Sequence, residues 1–130
     1  MANPNVALVR KILDDMNAGN AQAYFDSLAD DVRYTVIGST PFSGTCQGRE
    51  ALVERVIMPL MQKLDGFITV TPHAIFGEGD RVCVQATGQA STKGGQSYNN
   101  TYCFVFRLRG DKIAEVTEYM DTDLLRSVLC

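Results

Sequence analysis

Apolar positions near the N-terminus recur at helical spacing: Val6, Val9, Ile12, Leu13 and Met16 fall on one stripe. Asn3-Pro4 opens this helix, Asn as N-cap and Pro at the first helical position. Gly19 is expected to end it in the left-handed conformation. Asn20 is expected to cap a second, shorter helix in which Tyr24, Phe25 and Leu28 face inward. Asp30-Asp31 then lead into a strand from Val32 to Val36. The segment from Gly38 to Gly48 holds Ser39, Thr40, Pro41, Ser43 and three glycines, and reads as a turn-rich loop or a short hairpin. A third helix is predicted from about Arg49 to Leu64, apolar at Leu52, Val53, Val56, Ile57, Leu60 and Met61. Pro59 removes a backbone donor inside it and should kink it.

After Gly66 the period changes from helical to alternating. Ile68, Val70 and Pro72 alternate with Thr69, Thr71 and His73, as in a half-buried strand. Gly77-Glu78-Gly79-Asp80 turns the chain into a strand from Arg81 to Thr92, and Lys93-Gly94-Gly95-Gln96 turns it again. A long strand follows from Ser97 to Arg109, and Gly110-Asp111 makes a tight hairpin into Lys112 to Asp121. Residues Thr122 to Leu129 have room for one short helical turn. Three helices followed by a meander of hairpins predict one α+β domain spanning residues 1–130, with the helices packed on one face of a curved antiparallel sheet. The shape expected is a cone-like roll that encloses a pocket. The convex face carries Thr, Gln and Val, and the cover expected for it is a second copy of the chain, giving a homodimer.

Composition narrows the function classes. The chain has 130 residues of which 45% are hydrophobic, enough for a core without covalent staples. Its net charge of −3 and the absence of a basic run argue against nucleic acid as a partner. No apolar stretch approaches the roughly 18 to 20 residues of a membrane span, so no membrane partner is expected. Arg10, Lys11, Asp14 and Asp15 sit inside the first amphipathic pattern, which is unlike a signal peptide and points to a cytoplasmic protein. Cys46, Cys83, Cys103 and Cys130 form no C-x-x-C pair and have only His73 to help them, so a zinc site is not expected. Cys83 and Cys103 lie in strand patterns, where Cys acts as a small hydrophobe, and reduced cysteines in a reducing compartment are expected.

Several stretches carry a family resemblance. They are Met16-Asn17-Ala18-Gly19-Asn20 at the first helix end, Ala29-Asp30-Asp31-Val32 before the first strand, and Phe104 to Ile113 across the last hairpin. Glu118-Tyr119-Met120-Asp121 after Val116 fits as well. With the order of elements, these resemble the nuclear transport factor 2-like superfamily, in its SnoaL-like and ketosteroid-isomerase-related branch. The resemblance covers nearly the whole chain and implies the fold; the fold itself hosts many chemistries. Ketosteroid isomerases use a tyrosine on the first helix, an aspartate base on the first strand and a protonated acid on the penultimate strand. Those positions fall here on Ile12, on Val36 or Thr35, and on Phe104 or Cys103. Limonene epoxide hydrolases use a tyrosine, an asparagine and an Asp–Arg–Asp set. The tyrosine matches Tyr34, the asparagine falls on Val36, the arginine on Ala86, and the aspartates on Gly88 and Glu118. Neither catalytic set is complete.

The groups that remain define the candidate site. Alternation puts Val116, Glu118 and Met120 on one face of the last strand. On the concave side, Glu118 is a carboxylate among apolar neighbours, suited to general acid or base work; on the other side it pairs with Arg107 or faces water. Tyr34 and Tyr102 can each offer a hydroxyl to a ligand, or stand as ordinary core tyrosines. Asn100 shares the face of Tyr102 and can reach a ligand carbonyl. Val36, Phe104, Ala86 and Gly88 stand where the related families keep functional groups, and Met61 and Met120 read as pocket wall. Asp121 is either a water-positioning group or the N-cap of the terminal turn. His73 falls on the opposite face from Ile68 and Val70, at the surface or an edge. Three readings follow. In the first, a cofactor-free enzyme acts on a hydrophobic or polyketide-like substrate, with Glu118 as acid or base and Tyr34 or Tyr102 as donor. The others are a non-catalytic binder of a hydrophobic small molecule and a dimerisation module without ligand.

Overall fold

The structure, a computed structural model, describes residues 3–130. Helix α1 (Pro4–Asn17) begins as its sequence dictates: the Asn3 side chain accepts from the Asn5 N–H at 2.8 Å and Pro4 occupies the first turn. Val9, Ile12 and Leu13 are its buried residues, and Gly19, at φ 111°, turns the chain after it. Helix α2 (Gln22–Asp26) departs from expectation in its cap. Ala21 precedes it, and Asn20 supplies its backbone carbonyl to the Ala23 N–H in place of its side chain.

Strand β1 (Leu28–Val36) starts earlier than the apolar pattern suggests, because Leu28 already pairs with Ile113 ahead of a register shift. Asp30 and Asp31 therefore lie within the strand, exposed, and bridge to Arg49 and Arg109, each at 2.6 Å. Strand β2 (Gly44–Gln47) folds back on β1, so the turn-rich segment is a hairpin. The third helix is interrupted: α3 (Arg49–Leu52), a π-helical turn at Val53–Ile57, and α4 (Met58–Lys63). The Met58 N–H donates to the Val53 carbonyl, five residues back. This widening directly ahead of Pro59 accommodates a ring that has no N–H to give and would clash with the preceding turn.

Strands β3 (Thr69–Glu78), β4 (Arg81–Gln89), β5 (Thr101–Arg109) and β6 (Lys112–Met120) form the meander. β4 ends earlier and β5 starts later than expected. Between them the Asn100 side chain accepts from the N–H groups of Thr101 and Asp121, doing locally what a ladder would do. Residues from Thr122 form a full helix, α5 (Thr122–Leu129), where only a turn was expected. Its N-cap is Asp121, which accepts from the Asp123 and Leu124 N–H groups at 3.0 and 3.2 Å. Of the two roles open to Asp121, capping is the one found.

The six strands run in the order β2-β1-β6-β5-β4-β3. Every neighbouring pair is antiparallel except β1 with β6, which run parallel. The expected all-antiparallel sheet thus holds one parallel seam. The helical segment after β2 carries the chain to the far edge, and the meander returns to lay β6 beside β1 in the same direction. One apolar core cluster joins α1 to the inner face of the sheet through Val9, Leu13, Val82, Val84, Phe106 and Val116. A second, built on Phe42, Leu64, Tyr98, Leu125 and Leu129, closes one end. The outer face leaves Phe76 and Tyr119 exposed, with Cys83, Cys103 and Val105 half-buried. Among the described residues no helix is long and apolar enough to cross a membrane.

Candidate functional site

Period-two alternation decides what the sheet presents to the helices. Along β5, Tyr102, Phe104 and Phe106 all point inward, and their rings stack in sequence. The centroids are 5.2 and 5.8 Å apart and the planes nearly parallel. Along β6 the inward residues include Val116, Glu118 and Met120. Register then sets Glu118 between Val36 of β1 and Phe104 of β5. A carboxylate thus stands between two apolar side chains.

A cavity of about 360 Å³ lies between this face and the helices. α1 lends it Leu13 and Met16, α2 lends Tyr24 and Phe25, and the interrupted helix lends Val53, Val56, Ile57, Leu60 and Met61. Leu125 and Leu129 of α5, with Phe42, wall one end. Among the lining residues Glu118 is the only one with an ionisable carboxyl or a basic group.

Three side chains form a hydrogen-bonded row. Tyr34 Oη donates to Glu118 Oε1, and Tyr24 Oη lies 2.6 Å from Tyr34 Oη. With the Tyr34 proton committed to the carboxylate, Tyr24 is the donor to Tyr34. Burial raises the Glu118 carboxyl from 4.5 to about 7, and the Tyr34 hydrogen bond pulls the other way. At neutral pH both forms of Glu118 are populated. Burial pushes the phenols of Tyr24 and Tyr34 well above 10 and raises those of Tyr98 and Tyr102 as well, so all four are neutral donors. The site therefore offers one carboxyl able to take or give a proton near pH 7, a phenol oriented on it, and an apolar, partly aromatic surround.

Of the residues singled out from sequence, Glu118, Tyr34, Tyr102, Val36, Phe104, Met120 and Met61 line this cavity together. Asn100, Ala86, Gly88 and Asp121 do not. Asn100 is buried and fully used: its amide donates to Tyr98 Oη at 2.9 Å and to the Asp121 carbonyl at 3.1 Å, and its oxygen takes two backbone N–H groups. Asn100 thus fastens the start of β5 to the end of β6. Ala86 pairs with Tyr102 across the strands, and the Tyr102 ring lies over Gly88 so closely that a Cβ there would sit 2.6 Å from Cε2. Tyr102 thus occupies the space over these two small residues. His73 is exposed at a register shift on edge strand β3, 3.0 Å from Thr87 Oγ1.

Sequence reasoning missed Tyr24 as a member of the hydrogen-bonded row, although its inward direction was legible from helical spacing. It also missed α5 and Phe42 as the end wall, because what they pack against is set by the fold. Among the described residues no three His, Cys, Asp or Glu side chains gather as a metal site would require.

The family model described as SnoaL-like domain matches residues 9–116. The curated proteins contain no significant match to the sequence. Solved structures share the fold. An NTF2-like protein of unknown function from Burkholderia pseudomallei is 18% identical over 98% of both chains, with a TM-score of 0.82. TerC, co-crystallised with polyporic acid, is 17% identical over 98% of both chains, with a TM-score of 0.79. A candidate SnoaL-like polyketide cyclase from Jannaschia sp. is 18% identical over 96% of this chain and 90% of its own, with a TM-score of 0.74. At these identities the likeness extends to the fold of the nuclear transport factor 2-like proteins.

Proposed function

The chain belongs to the SnoaL-like domain family, and from that premise we propose that it is a cofactor-free acid/base enzyme for a hydrophobic or polyketide-like small molecule. The observation that carries this reading is Glu118: the single carboxyl of an apolar cavity, held by Tyr34 and pushed up to about 7 by its burial. A general base is most effective when its pKa lies near the working pH, because its free form is then abundant and still basic enough to take a proton. In this mechanism Glu118 removes a proton from carbon next to a substrate carbonyl and returns one to the product. Tyr34, with its own proton shared toward Glu118, steadies the carboxylate, and Tyr24 orients Tyr34. The stacked rings of Tyr102, Phe104 and Phe106 form an apolar floor for the ligand. Relatives of the fold give the substrate class some support: one holds polyporic acid and another is a candidate polyketide cyclase.

The test is proton exchange in heavy water, followed by NMR, for a panel of aromatic β-diketones and related polyketide-like ketones. Enzyme-dependent deuteration at the activated carbon is expected, and Glu118→Gln should reduce it by about 10²-fold or more. Exchange that is unaffected by the substitution would rule out Glu118 as the base.

A second reading, a non-catalytic carrier, is favoured by one observation. The remaining positions of the related catalytic sets are Ile12, Val36, Ala86, Gly88 and Phe104, all apolar, and Ile12 is packed into the core. That reading expects an apolar ligand to stay bound through purification, detectable by native mass spectrometry, and to be retained equally by the Glu118→Gln protein.

A further inference from the structure

On the outer face of the sheet, away from the cavity, two thiols lie in contact. Cys83 of β4 stands opposite Val105 and Cys103 of β5 opposite Gln85, so the two cysteines are diagonal neighbours on one face of adjacent strands. Their sulfur atoms are 3.4 Å apart and both side chains are half-buried. Nothing in the proposed acid/base chemistry uses them. Cys103 also sits in the chain between Tyr102 and Phe104, and alternation sends those two rings through to the cavity side. A change in the pair on the outer face is thus one residue away from the cavity floor.

We propose that Cys83 and Cys103 form a reversible dithiol–disulfide pair, oxidised by a peroxide, whose closure shifts Tyr102 and Phe104 and alters ligand binding in the cavity. One of the two sulfurs, as thiolate, attacks one peroxide oxygen; the O–O bond breaks, and that cysteine becomes a sulfenic acid as hydroxide leaves. The sulfur of the other cysteine then attacks it, the S–O bond breaks, and the S–S bond forms. Hydroxide takes the second thiol's proton and leaves as water. Two thiols lose two electrons in all, and one hydrogen peroxide becomes two waters. Burial and the neighbouring thiol push Cys83 up to about 11. A later dithiol reductant reverses the bond.

The experiment treats the whole protein with hydrogen peroxide at neutral pH. Intact mass, alkylation of free thiols after unfolding in urea with peptide mapping, and the affinity of the folded protein for an apolar fluorescent naphthalene-sulfonate dye are measured before and after. The expected product is about 2 Da lighter, with Cys83 and Cys103 protected from alkylation, Cys46 and Cys130 unprotected, and full reversal by dithiothreitol. Dye affinity should change by about fivefold or more on oxidation and return on reduction. Cys83→Ser and Cys103→Ser, each checked for native circular dichroism, should abolish both the mass change and the affinity change. A disulfide through Cys130, stepwise oxygen addition without a Cys83–Cys103 bond, or a bond that leaves dye affinity unchanged would each overturn the proposal. Failure here leaves the acid/base reading standing, because that reading is read out by proton exchange in reduced protein.

Discussion

Replacing Glu118 by Gln should shift relative stability in favour of the Gln protein as the pH rises from acid to alkaline. Burial lifts the Glu118 carboxyl from 4.5 in the open chain to about 7 in the folded protein. Between those values the folded state holds a proton that the unfolded chain has released. Its favourable contribution is therefore complete below about pH 4.5 and is lost as the pH rises through 7. Taking 1.36 kcal/mol for each pKa unit, the loss is about 1 kcal/mol at pH 5 and about 3 kcal/mol by pH 8. Gln keeps the shape of the side chain, and its Oε1 can still accept the Tyr34 proton, but it does not ionise. Its amide N–H group brings a fixed cost of about 1 to 3 kcal/mol wherever it goes unpaired, the same at every pH. The quantity to follow is the difference in unfolding free energy between the two proteins, from urea titrations at intervals between about pH 4 and pH 8.5, with the slope checked for constancy. Every other titrating group is common to both proteins and cancels. The difference should move in favour of the Gln protein by about 3 kcal/mol across that range, most steeply between pH 5 and 7. A difference that stays flat would show that Glu118 ionises at an ordinary carboxylate pKa, and the argument for a base tuned to neutrality would fall.

Other perturbations test neighbouring links. Tyr34→Phe removes the hydrogen bond that holds the Glu118 pKa down, so the carboxyl midpoint, followed by carbon-13 NMR of labelled Glu118, should move further up; a downward move would contradict the donor assignment. Gly88→Ala places a methyl group 2.6 Å from Tyr102 Cε2, which must swing toward the cavity. The expected cost is about 1 to 3 kcal/mol in urea unfolding, with weaker uptake of an apolar dye; an unchanged midpoint would mean the ring does not rest on Gly88. Asp121→Ala removes the acceptor for two N–H groups at the start of α5, costing about 1 kcal/mol and speeding amide exchange at Leu125 and Leu129 before that of the central strands. Uniform protection in the variant would show that α5 is held by packing alone.

Elements whose signal is local were legible along the chain. The stripe from Val6 to Met16 with its Asn3-Pro4 start, the period-two runs of β4 to β6, and the Gly110-Asp111 turn needed only neighbours in sequence to be decided. Alternation also put Glu118 and Met120 on one face, and Tyr102 and Phe104 on one face, and both pairs line the cavity. Boundaries depending on distant partners went astray. β1 begins at Leu28 because Ile113 pairs with it, and β5 begins late because Asn100 is tied to Asp121. The π-helical turn ahead of Pro59 is a particular way of accommodating a ring whose disturbance alone was foreseeable.

What the sequence determined by itself was the alternation of faces, the start of α1 and the scarcity of charge at inward positions, because these are properties of backbone period and residue type. What only the tertiary structure decided was which inward residues meet. The parallel seam brings β1 beside β6, and that pairing lets Tyr34 reach Glu118, while α2 packed on β1 brings Tyr24 to Tyr34. The same packing half-buries the carboxylate among apolar groups and so raises its proton affinity. Glu118 in an open chain is an ordinary acid; its chemistry comes from residues remote in sequence that fold around it, since desolvation and hydrogen bonding act through space and not along the chain.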